Sequence, residues 1–212
     1  MKLPFFASFL VFILVLQHNL RKNSKAQERE EDKYWKHEFD ANHIRKQSLN
    51  DLTYITFQAE YFYPINLLGA DSCPEFLEKN PEIKEILSRF LFLENQKIVN
   101  LTEYSNTDLK YKYGVANLNL LTEYDTNYNE LITLLHNYGN IFAKNDYQTQ
   151  ALFILEYAVS IGSDISGTYM LLAKIYQENQ QWDKTEWLKK EAEKISTSRK
   201  NSIICKLQEF GL

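Results

Sequence analysis

Leu135–Ala158 reads LHNYGNIFAKNDYQTQALFILEYA, and further on Tyr169–Ala192 reads YMLLAKIYQENQQWDKTEWLKKEA. Laid over one another, Leu135, Tyr138, Gly139, Phe142 and Ala158 meet Tyr169, Leu172, Ala173, Tyr176 and Ala192, all at one fixed step. In each copy a large apolar residue precedes a small one, and an aromatic follows on the same helical face. Small residues let two helices approach closely, and the aromatics fill the space between successive pairs. Lys144-Asn145-Asp146-Tyr147 and Gly162-Ser163-Asp164 fall where the turns of such a design belong. The spacing predicts stacked helix pairs, and so an all-α chain.

Composition agrees with this. The chain has 212 residues, a quarter of them charged, and a formal net charge of −4. That balance leaves no basic footprint for nucleic acid. Six Gly and four Pro supply few strand-ending turns, which favours helices on short loops. Cys73 and Cys205 are too far apart to suggest a metal knuckle or a disulfide framework, and are expected to be partly buried thiols.

Residues 132–199 resemble two tetratricopeptide units, whose length is about 34 residues. The resemblance implies a right-handed solenoid that binds proteins or peptides. On it, Leu135, Tyr138, Gly139 and Phe142 match the first helix of one unit, with Ala151, Leu155 and Ala158 on its second. Tyr169, Leu172, Ala173 and Tyr176 match the next first helix, followed by Trp182 and Ala192 with Ile195 behind them. Ser163 and Thr197 stand where the family has Pro, and Thr185 and Lys189 replace a small and an aromatic residue. Ile203, Ile204, Leu207 and Phe210 recur as one face of a helix that caps the open end. Lys97–Asp125 (KIVNLTEYSNTDLKYKYGVANLNLLTEYD) is similar to a stretch that precedes such helices in uncharacterised membrane-anchored proteins of low-GC Gram-positive bacteria. It is expected to form the N-terminal packing layer.

The resemblance implies a partner groove lined by Thr133, His136, Asn140, Lys144, Met170, Lys174 and Gln177. A carboxylate clamp is not expected. Asn137 and Asn140 fit one in part, but the second unit offers Leu171 and Lys174.

Upstream, Leu3–Leu16 (LPFFASFLVFILVL) is apolar apart from Ser8. Taken with residues up to Leu20, it predicts an uncleaved transmembrane anchor, since Gln17-His18-Asn19-Leu20 offers no small-x-small cleavage site. Arg21, Lys22 and Lys25 place the rest in the cytoplasm by the positive-inside rule. Residues 21–50 come next as a charged helix with a thin stripe of Trp35, Phe39 and His43, Tyr34 beside it. Residues 51–96 hold a segment near 52–64 that fits both strand alternation and a helical face, and is expected to be extended or irregular. A loop over Pro64–Pro74 comes after it, then a core helix opened by Asn80-Pro81. Ser105–Asp108 caps a short helix that Gly114 ends. Residues 97–131 and 132–212 complete the chain, with the first repeat helix starting near Asp125–Asn129.

No phosphate loop or nucleophile elbow occurs. His37-Glu38 and His43 lack the four-residue step of a helical zinc pair, and His18 and His136 share no ligand spacing with them. The chain is therefore expected to be non-enzymatic, without metal or cofactor. Expected partners are a protein or peptide and, through residues 1–20, a membrane. Two alternatives remain: a structural envelope protein that self-associates through the Trp35 and Phe39 stripe, or a small-molecule or catalytic site among the aromatics of residues 54–74.

Overall fold

A computed structural model describes residues 3–210. The described residues form helices and connecting turns with no strand. The chain divides into two units. One comprises the N-terminal part up to Ser48 together with Asn106–Leu118; the other comprises Leu49–Ser105 and the chain from Asn119 onward.

In the first unit, α1 (Leu3–Asn42) is a single helix of 40 residues. Pro4 can be accommodated because the first turn needs no amide donor, and no glycine interrupts the rest of the helix. The expected span over residues 1–20 is not found. Among the described residues, no helix is long and apolar enough to cross a membrane. The apolar run covers roughly 21 Å against a hydrocarbon layer of about 30 Å, and polar Gln17, His18 and Asn19 come directly after it. Met1 and Lys2, which the expectation included, lie outside the described residues. The charged half of α1 is exposed, with Tyr34, Trp35 and Phe39 all more than half accessible.

The end of α1 is held by α5 (Asn106–Tyr113). The Glu38 carboxylate accepts from Lys110 Nζ and from Thr107 Oγ1 at 2.6 Å. These bonds, Lys110 first, hold its pKa below the usual carboxylate value. The His37 ring stacks on Tyr111 with centroids 5.2 Å apart. Gly114 ends α5 as expected, at φ 83°. A Cβ there would lie 2.4 Å from the Arg45 carbonyl oxygen. That close approach lets Gln47 N donate to Tyr113 O at 2.9 Å. Asn117, fully buried, donates to the carbonyls of Gln47 and Tyr113.

In the second unit, residues 53–58 are irregular, tied by Ile55 N donating to Ile98 O at 2.9 Å. A 3-10 turn (Ala59–Phe62) leads to α2 (Pro64–Leu68) and α3 (Cys73–Lys79). The expected loop over 64–74 is therefore mostly helical. A proline in the first turn of each short helix presets φ at no cost in hydrogen bonds. Asn80 closes α3 instead of opening the next helix, its side-chain amide donating to Phe76 O at 2.9 Å. The core helix α4 begins later, at Ile83, and runs to Glu94. The helix α6 (Leu118–Lys144) begins upstream of Asp125, because Leu121, Tyr124 and Tyr128 extend the buried face at helical steps. Asp125 binds sideways, accepting Leu101 N at 3.2 Å.

The repeat spacing reappears as geometry. The helices α7 (Gln148–Ser160) and α9 (Trp182–Lys194) are offset by the step of the sequence overlay at both ends. So are the C-terminal ends of α6 and of α8 (Ser166–Glu178). Between each pair one residue takes positive φ, Asp146 in the first and Gln180 in the second. The closing bonds correspond too: Tyr147 N to Phe142 O at 3.0 Å, and Gln181 N to Tyr176 O at 2.8 Å.

All ten residues of the overlay are buried. A Cβ on Gly139 would lie 2.6 Å from the Leu155 side chain, which explains the smallness required there. The three tyrosines of the overlay keep their hydroxyls paired. Tyr138 donates to Phe62 O at 2.6 Å, Tyr169 to Ser163 O and Tyr176 to Glu156. Trp182 departs from expectation: it starts α9 and is 60% exposed, while Thr185, Leu188 and Ala192 form the buried face. The final helix α10 (Lys200–Glu209) packs on α8 and α9 through Ile203 and Leu207. Cys73 is buried and Cys205 exposed, which corrects the expectation of two partly buried thiols.

Candidate functional site: the cleft between two core helices

In α4, Ile83, Ile86, Phe90 and Leu93 turn into the core at three- and four-residue steps. The same periodicity leaves Glu85 and Arg89 along one edge, with Glu82 at the N-cap just before the helix. In α6, burial of Leu131, Leu135, Tyr138 and Phe142 leaves Thr133, Asn137, Asn140 and Lys144 as an outer stripe. Where the two helices meet, a cleft of about 500 Å³ opens. Ile86, Leu134 and Ile141 give it an apolar lining.

Arg89 and Glu130 bridge the cleft. Arg89 Nη2 donates to Glu130 Oε2 at 2.7 Å, and Nε donates to Oε1 at 2.5 Å. This bidentate contact raises the Arg89 pKa. The guanidinium also lies 4.7 Å from the centroid of the Phe92 ring. Among the described residues, Glu82 and Glu85 form no ion pair, and the side-chain amides of Asn137 and Asn140 have no hydrogen-bond partner within the chain. The cleft therefore offers free carboxylates, free carboxamides and an apolar lining.

The expected groove residues separate into two groups. Thr133, Lys144 and Lys174 are exposed and Asn140 is half-buried; of the whole set, Asn140 alone lines this cleft. Lys174 lies 3.8 Å from Glu178. Met170 packs against the core. Gln177 donates to Phe210 O, fastening α8 near the end of α10. His136 Nδ1 lies 3.1 Å from Thr168 Oγ1 across α6 and α8, so it is an interhelical contact. Sequence reasoning missed Glu82, Glu85 and Arg89. Their signal was the charged border on the apolar face of α4, but nothing local says that α6 covers that face.

Burial lowers the pKa of His136. The unfolded chain therefore takes up this proton first as pH falls. The stability His136 contributes is fully present above its ordinary value of about 6.5 and is lost as pH falls below it. His136→Gln should flatten the pH dependence of the unfolding free energy between about pH 7 and 5. An unchanged profile in urea titrations of the variant would refute this.

A second cleft, about 520 Å³, lies among the aromatics near residues 54–74. Phe57, Tyr61, Phe62, Phe153 and Tyr157 line it with Thr56 and Gln58. Tyr54, expected among them, instead packs edge-on to Tyr124, with Lys97 over both rings. Among the described residues, no group of three His, Cys, Asp or Glu side chains could hold a metal ion.

No protein-family model, no curated protein and no solved structure matches the chain. The clefts and the exposed faces therefore carry the functional reading by themselves.

Proposed function

We propose that this chain is a scaffold that binds another protein or peptide along the layer formed by α4, α6 and α8. The observation that carries this is the α4–α6 cleft, whose carboxamides and carboxylates are unengaged beside an apolar lining. These exposed or half-exposed polar groups are open to a partner's backbone and side chains, and the apolar lining suits the side chains between them. The recurrence of helix ends, turn geometry and closing bonds at one repeat length supports a tetratricopeptide-like stacking. In that architecture the exposed stripes of successive first helices form one recognition surface.

A photo-crosslinking residue at Thr133 or Lys174 is expected to capture a partner in cells, and one at Ser160 or Glu193 to capture none. Equal capture from all four positions, or none, would count against the reading.

We also infer that residues 3–20 attach the chain to a membrane without needing to span it. Phe9, Phe12, Val15, Leu16 and Leu20 are exposed, and exposed large apolar side chains gathered in one stretch mark membrane or protein contact sites. Arg21, Lys22 and Lys25 come next, at the depth of the headgroups, and suit the anionic cytoplasmic leaflet. Replacing Phe9, Phe12 and Leu16 with Ser should shift the chain from floating with vesicles to the soluble fraction; retained flotation would sink this idea.

A further inference from the structure

Resting on the peptide-binding reading above, we propose that the α4–α6 cleft takes an extended segment carrying a lysine or arginine beside an apolar side chain. Charge makes the first selection. Three carboxylates, Glu82, Glu85 and Glu130, border the cleft with one cation, Arg89. Arg89 is committed to Glu130 through two bonds, so the cleft edge at Glu82 and Glu85 keeps a net negative charge. A cationic side chain meets complementary potential there, and an acidic one is repelled.

The amides make the second. Asn137 and Asn140 lie about one turn apart on α6, and among the described residues neither side-chain amide has a partner. A carboxamide carries both donor and acceptor, so each can pair with the N–H and C=O of a backbone running along the helix. A lone amine would leave both amides unused. The third selection is made by Ile86, Leu134 and Ile141, which accept an apolar neighbour of the cation. The cleft volume lies within the range of about 300–1,000 Å³ that binding sites occupy. Its edge at Glu82 and Glu85 is exposed, which lets a chain enter and leave.

The test is selection of a random dodecapeptide library on the full chain in detergent at low salt. Enriched peptides are expected to carry Lys or Arg next to Leu, Ile, Met or Phe. A synthetic peptide of the leading sequence should bind about tenfold more weakly to the E82Q/E85Q variant. It should also weaken with N137A/N140A, and as salt rises. Among the described residues these side chains form no hydrogen bond or ion pair, so unchanged circular dichroism should accompany the loss. Enrichment of acidic or uncharged peptides, equal binding to E82Q/E85Q, or full competition by arginine amide alone would overturn the inference. Absence of any enriched peptide would overturn it as well. None of these results decides the scaffold reading, which fails instead if Thr133 and Lys174 capture no partner.

Discussion

Replacing Phe142 with alanine is expected to lower the unfolding free energy by about 3–5 kcal/mol, the cost of a large cavity at a site that cannot collapse. Phe142 is fully buried, and its ring meets Phe76 at 4.6 Å and Tyr138 at 4.9 Å between centroids. Its carbonyl also receives Tyr147 N in the turn to α7, so relaxation around the cavity would strain that turn. Urea unfolding monitored by circular dichroism would give the change, provided the slope with denaturant is unaltered. Phe92→Ala is the natural comparison, because that ring is 47% exposed and its loss should cost under about 1 kcal/mol. Similar losses at the two positions would mean that the aromatic packing of α3 and α6 is not what holds the second unit.

The second large effect is expected at Gly114. Its φ of 83° lies with a ψ of 148°, a combination that only glycine adopts readily. Alanine would incur about 1–3 kcal/mol from conformation alone. It would also place Cβ 2.4 Å from a backbone oxygen, so Arg45 and Lys46 would have to move. The bonds from Gln47 and Asn117 depend on that approach. Gly69→Ala separates the two contributions, since Gly69 has a φ of 79° but nothing within 4 Å of the added carbon. Hydrogen exchange should accelerate at Gln47 and in α5 for the Gly114 variant and hardly at all for the Gly69 variant. Equal exchange in both would show that the steric contact has no role.

The legible part of the fold arose from contacts between near neighbours along the chain. The repeat overlay found ten buried positions, because each sits on a helix whose partner is the next helix. Gly114, the capping helix and the exposed Trp35 and Phe39 stripe were legible for similar reasons: each is fixed by periodicity or by one backbone angle.

The misreadings came where a distant segment decides. Asn80-Pro81 has the form of a helix start, yet the Asn80 amide is drawn back to Phe76 and its oxygen accepts from Asn145, far along the chain. The polar run at Asp125–Asn129 resembles a cap, but Tyr124 and Tyr128 pack and carry the helix through it. His136 and Gln177 have the spacing of groove residues, and the structure uses them to bind α6 to α8 and α8 to the end of α10. The candidate cleft was half visible, through Asn137 and Asn140. Its other half sits far upstream on α4, beyond the reach of any periodic pattern.

The uninterrupted course of α1 has a consequence for length and phase. From Phe12 to Glu38 the helix rises roughly 39 Å, and without a glycine it contains no built-in hinge. Whatever holds the apolar end therefore acts on α5 through an arm of fixed reach and fixed rotation. The charged middle of that arm is exposed, so substitutions there are expected to matter less than a change in its residue count. Removing seven residues there would shorten the arm by roughly 10 Å and nearly preserve its rotational setting. Removing two would shorten it by only about 3 Å but turn one end by roughly 200° relative to the other, which would carry Glu38 and His37 away from their partners on α5 if the apolar end were held fixed.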